Sequence, residues 1–99
     1  MGKRVKSVSM PGLAAKLEEL DGAKGSRWSI QRTVTYTRSS VVNRVDIIAS
    51  RNVMSGAGWD GFVARADMDD DGLLSGYTVD ATVPYKVGKV LDTAWEALS

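Results

Sequence analysis

Residues 28–51 read WSIQRTVTYTRSSVVNRVDIIASR, and the period of their apolar positions decides the fold class. Trp28, Ile30, Val34 and Tyr36 fall on one side of a two-residue period; Ser29, Gln31, Thr33, Thr35 and Thr37 fall on the other. Successive strand side chains point to opposite faces, so the alternation predicts a strand over 28–38 with one wet face. Residues 41–51 have the same character, and Ser39-Ser40 between them suits a two-residue hairpin loop. That loop sets Val34 against Val45, Ile30 against Ala49, Thr35 against Arg44 and Thr33 against Asp46. Like then meets like on both faces. A one-residue slip would turn the apolar set into water, so the match argues for the pairing. Arg32, opposite Ile47, is the misfit; at a sheet edge its stem is buried and its head stays wet.

Downstream, residues 52–61 form a glycine-rich connection, NVMSGAGWDG. A second hairpin follows. Asp71-Gly72 is a two-residue type I′ turn signal, and it sets Ala66 against Tyr77, Ala64 against Val79 and Phe62 against Ala81. Arg65 meets Thr78 and Val63 meets Asp80 on the other face. Pro84 ends the strand because it has no N–H for a ladder. From Tyr85 to Leu98 the period becomes helical: Val87, Val90, Leu91, Ala94 and Leu98 share a face, with Trp95 at its boundary. Upstream, Ser9 is a candidate N-cap before Pro11, Leu13, Leu17 and Leu20 form an apolar stripe, and Gly22 is the expected left-handed C-cap. The order is helix, hairpin, hairpin, helix. This predicts an α+β two-layer sandwich: a four-stranded antiparallel sheet with the N-terminal and C-terminal helices on one face (αββββα). Residues 1–8 read as a basic arm or short edge strand, and 9–99 as a single domain.

The 99 residues suffice for one core, and 43% hydrophobic with 25% charged residues is ordinary globular composition. No apolar run reaches the ~18 residues of a membrane span, and no apolar stretch follows the charged start, as a signal peptide requires. The chain contains no cysteine and no histidine. Thiolate chemistry, the usual zinc sites and the commonest general base are therefore out of reach. No Ser-Lys or paired-carboxylate spacing replaces them, so the expectation is no enzyme, no cofactor and no small-molecule substrate.

The net charge of +1 conceals a polarity. Residues 1–51 hold ten Lys/Arg against four Asp/Glu, and residues 52–99 hold three against eight. Such a split suits contact between a basic surface and an acidic one. The acidic run Asp67-Met68-Asp69-Asp70-Asp71-Gly72 copies the front of an EF-hand loop, making Asp67, Asp69 and Asp71 weak metal candidates. Thr78 stands where the bidentate Glu belongs, and strands replace the flanking helices, so a hairpin turn is the better reading. Gly56-Ala57-Gly58-Trp59-Asp60-Gly61 lacks the Lys-Ser/Thr and following helix of a phosphate loop.

The expected function is a small non-enzymatic interaction or assembly module that associates with copies of itself as a structural subunit. Its expected contact residues are Lys3, Arg4, Lys6, Arg38, Arg44 and Trp59. One alternative is an inhibitor or adaptor docking on a larger protein. Another is a nucleic-acid-binding module using the basic arm and first hairpin, although that hairpin's wet face has no aromatic row for bases to stack on. A compact phage-encoded protein, cytoplasmic or virion-associated and without membrane contact, fits this character.

Overall fold

The computed structural model describes residues 7–52 and 58–99. Helix α1 (Met10–Asp21) precedes strands β1 (Arg27–Tyr36), β2 (Val41–Arg51), β3 (Trp59–Met68) and β4 (Leu74–Val79), and helix α2 (Tyr85–Leu98) closes the order. The strands form one antiparallel meander, β1-β2-β3-β4. This is the αββββα sandwich that the periodicities predict.

Helix α1 starts where Ser9 caps it, its Oγ accepting from Gly12 N at 3.0 Å. Gly22 does not end it in the left-handed region. Gly22 is right-handed, the chain runs on through a 3-10 turn at Gly22–Lys24, and the left-handed residue is Gly25 at φ 85°. The extra turn leaves Asp21 buried at the helix end instead of exposed in a cap.

The core lies between the sheet and both helices. Leu13 and Leu17 of α1 and Val87, Leu91, Ala94 and Trp95 of α2 join Val45, Ile47, Ala49, Ala64, Ala66 and Leu74 of the sheet. Each fully buried Leu or Ile removes enough apolar surface from water to contribute roughly 1.5–3 kcal/mol. Val8 also belongs to this core and bridges Leu74 at the β4 edge, with 2.9 and 2.8 Å backbone bonds. Tyr77 stacks at a tilt on Trp95, ring centres 4.8 Å apart, and its hydroxyl donates to Asp92. Burial, then the Asp92 carboxylate, raises the Tyr77 phenol above its ordinary range.

The second hairpin keeps the expected pairs Ala64–Val79, Arg65–Thr78 and Ala66–Tyr77, but by a different turn. Asp69 N donates to Leu73 O and Gly72 N to Asp69 O, so three residues form the loop, with Gly72 left-handed at φ 81°. A register shift between Asp67 and Met68 offsets the extra residue. Phe62 does not face Ala81, because β4 ends at Val79. A second shift, in the β2–β3 ladder, pairs Ile47 with Ala64 but Ile48 with Phe62. Val63 is the extra residue, fully buried, and Phe62 is turned to the opposite face.

The first hairpin differs in register. Val34 lies opposite Asn43, not Val45; Arg32 faces Val45, Ile30 faces Ile47 and Thr33 faces Arg44. The loop is Arg38-Ser39, one residue earlier than Ser39-Ser40. Thr37 and Ser40 close it: Thr37 N donates to Ser40 O at 2.8 Å, and Ser40 N donates to Thr37 Oγ1 at 3.0 Å. Moving a loop by one residue slips the ladder by two, and a slip of two preserves every face.

Candidate functional site: an overhanging hairpin arm

The last β2–β3 pair towards the hairpin turns is Val45–Ala66. Beyond it β1 and β2 continue together, without β3, through four more pairs to Tyr36–Val41. The helices do not follow them. An α-helix rises ~1.5 Å per residue and a strand ~3.3 Å. The 12 residues of α1 thus cover about 18 Å. The ten residues of β1 reach about 33 Å. Every residue from Gln31 to Arg44 is exposed, whereas Val45, Ile47 and Ala49 are fully buried. The molecule is correspondingly long, 46 × 29 × 25 Å.

The core-side face of the sheet runs onto this arm without its cover. Val34 (37% exposed), Tyr36 (77%) and Val41 (54%) stand on it; Val42 (47%) stands on the reverse with Thr33 and Thr35. Arg38 sits at the tip, and its side chain makes no hydrogen bond or ion pair among the described residues. Arg32 donates to Asn43 Oδ1 at 3.0 Å, and Arg44 Nε lies 3.5 Å from Asp46 Oδ1. β1 is also an edge strand. The Thr37–Ser40 closure fixes the phase of the ladder, so Thr33 and Thr35 bond to β2 while Arg32, Val34 and Tyr36 turn their N–H and C=O groups outward. An edge of this length, without Pro or Gly, is a template for another chain.

The structure brings only part of the expected contact set together. Arg38 and Arg44 share the arm. Trp59 lies at the opposite end of the sheet, paired with Arg51, half-buried against the core, its Nε1 donating to Phe62 O at 3.2 Å. Lys3, Arg4 and Lys6 lie outside the described residues, as do residues 53–57 of the glycine-rich connection.

The aspartates at 67–71 are disposed as a turn. Asp69 Oδ1 accepts from Asp71 N and Leu73 N, both at 2.9 Å, and Oδ2 accepts from Ser7 Oγ at 3.0 Å. The bond from Leu73 leads the causes that hold the Asp69 carboxyl below its ordinary range. Among the described residues no three acidic groups converge on a point that a metal ion would occupy.

The structure also holds a buried ionic contact that the sequence reading missed. Arg51 Nε donates to Asp21 Oδ2 at 2.9 Å, Arg51 Nη2 to Oδ1 at 3.1 Å, and Trp28 Nε1 to Oδ2 at 2.8 Å. It ties the end of α1 to the start of β1 and the end of β2. Its only sequence signal is Asp21 in phase with Leu13 and Leu17, four residues apart along the helix.

No protein-family model, curated protein or solved structure matches the chain. Among the described residues no helix is long and apolar enough to cross a membrane.

Proposed function

We propose that this chain is a non-enzymatic assembly module that associates with copies of itself through the overhanging β1–β2 arm, as a structural subunit does. The observation that supports this is the exposure of Val34, Tyr36, Val41 and Val42 on a hairpin projecting past the helices. Apolar groups and an open strand edge on a projection cost solubility unless a partner covers them. Arg32, Arg38 and Arg44 add a basic character that favours an acidic partner surface, and the acidic half of the same chain supplies one. The apolar side chains contribute most of the affinity, while the charges contribute encounter rate, orientation and a smaller, salt-sensitive part of the affinity.

Solution mass at two salt concentrations tests the reading. The Debye length falls from ~10 Å at 0.1 M to ~3 Å at 1 M. Self-association at 0.1 M that weakens at 1 M is the expected result. A chain that stays monomeric at both concentrations is not an assembly module. Among monomer outcomes, single-stranded DNA binding with a steep salt slope transfers the function to nucleic acid. The arm's arginines and Tyr36 favour that second reading; the acidic turn at the same end of the sheet opposes it.

A further inference from the structure

Both hairpin turns project from the same end of the sheet, because a meander reverses direction at every connection. Past the Val45–Ala66 pair the two hairpins share no ladder. The first runs on to the Thr37–Ser40 closure and the second to the Asp69–Leu73 closure. The sheet therefore ends in a fork. Its two prongs carry opposite charge. Residues 32–45 include Arg32, Arg38 and Arg44 and no acidic residue. Residues 66–77 include Asp67, Asp69, Asp70 and Asp71 and no basic residue.

Within each prong some charges are already engaged. Arg32 is held by Asn43, Arg44 lies beside Asp46, and Asp69 serves the N–H groups of its own turn. Arg38 on one tip and Asp70 and Asp71 on the other are exposed, and their side chains have no hydrogen bond or ion pair among the described residues. The outermost charges of the fork are thus the ones open to a partner.

We infer that the partner is a second copy of this chain, joined fork to fork about a two-fold axis normal to the sheet. This deepens the assembly reading and rests on it. The choice of axis follows from the charges. A half-turn about the sheet normal reverses the strands and exchanges left with right, so the Arg38 prong of each copy meets the Asp70–Asp71 prong of the other. A half-turn about the in-plane axis across the strands leaves left and right unchanged and sets Arg38 against Arg38, a repulsive contact. The favoured arrangement uses both prongs of both copies. It is isologous and closes at two subunits, where a head-to-tail contact would continue into a ring or filament. It also keeps both core-side faces on one side of the joint, so Tyr36 and Val41 of each arm lose water there.

The test is charge exchange in the full chain, read by sedimentation equilibrium at 0.1 M salt. Arg38→Glu alone, and Asp70→Lys with Asp71→Lys, should each weaken self-association by about tenfold or more, since like charges then face one another. An equal mixture of the two variants should recover a two-chain species, because both contacts again pair opposite signs. Melting curves that match the wild type's at a concentration where it is monomeric show that the variants fold. If both variants associate as the wild type does, or the mixture fails to recover, the fork is not the contact, while the assembly reading survives on the wild type's own mass. If the recovered species grows past two chains, the isologous arrangement is wrong. A wild type that is monomeric at every concentration overturns both readings together.

Discussion

Asp21 illustrates how one side chain can carry the cost and the benefit of burial together. Its side chain is 1% exposed and that of Arg51 4%. Burial alone raises a carboxyl's pKa, but the bonds from Arg51 and then Trp28 outweigh it and leave Asp21 below its ordinary 3.8. Replacing such a pair by apolar residues is often neutral, whereas removing one partner strands the other charge at a cost of about 3–5 kcal/mol. Asp21→Asn keeps the shape and removes the charge, so urea unfolding at pH 7 should show a loss of that order. The pH dependence has a definite sign. A carboxyl whose native pKa is depressed contributes stability in full above its unfolded value, and this is lost as pH falls through the native value. The wild type should therefore lose stability on acidification below about pH 4, and Asp21→Asn should lose less over the same range. Parallel acid limbs for the two proteins would count against the contact.

At the scale of elements, the two hairpins show what a sequence can specify. The second has Asp71-Gly72, and glycine alone takes φ 81° without strain. Gly72→Ala should cost about 1 kcal/mol in thermal melts, although a Cβ there would meet nothing within 4 Å. The ladder then follows, and even the miscounted loop is offset by the bulge near Met68. The first hairpin has no Gly or Asn at its turn. Arg38-Ser39 and Ser39-Ser40 give the same faces, so hydrophobic pattern cannot separate them; hydroxyl bonds between Thr37 and Ser40 do. The arm itself escaped notice because the period of two continues unbroken into the overhang. It was legible only by setting helix rise against strand rise, which shows that 12- and 14-residue helices leave part of a hairpin with ten- and eleven-residue strands uncovered. The consequence is testable. Val34→Ser, Tyr36→Ser and Val41→Ser together should change the dilute protein's stability by much less than a buried substitution, whereas Val45→Asp, two residues inside Asn43, should abolish folding by burying an unpaired charge. The triple variant should lose self-association. If it unfolds instead, the arm belongs to the core.

For the whole molecule, uneven cover implies uneven stability. The body has one contiguous core; the arm has a two-stranded ladder and little else, and an isolated hairpin is marginally stable in water. Local opening should therefore cost far less at the arm than in the body. The ladder phase says which amides report on it. Those of Thr33, Thr35, Val42 and Arg44 bond across the β1–β2 pair, while those of Val34 and Tyr36 face outward even when the arm is intact. In dilute solution the first group should exchange hydrogen orders of magnitude faster than Ile47 and Ala64, whose amides open only with the core. Raising the protein concentration should slow Thr33, Thr35, Val42 and Arg44 by mass action, because opening the arm breaks the contact with the partner; Ile47 and Ala64 slow as well, since opening the core breaks that contact too. Slowing confined to Trp59 and its neighbours would move the contact to the opposite end of the sheet. Slow exchange of Thr33, Thr35, Val42 and Arg44 at low concentration would mean that the arm is held by the chain's own fold, and the reason to seek a partner for it would vanish.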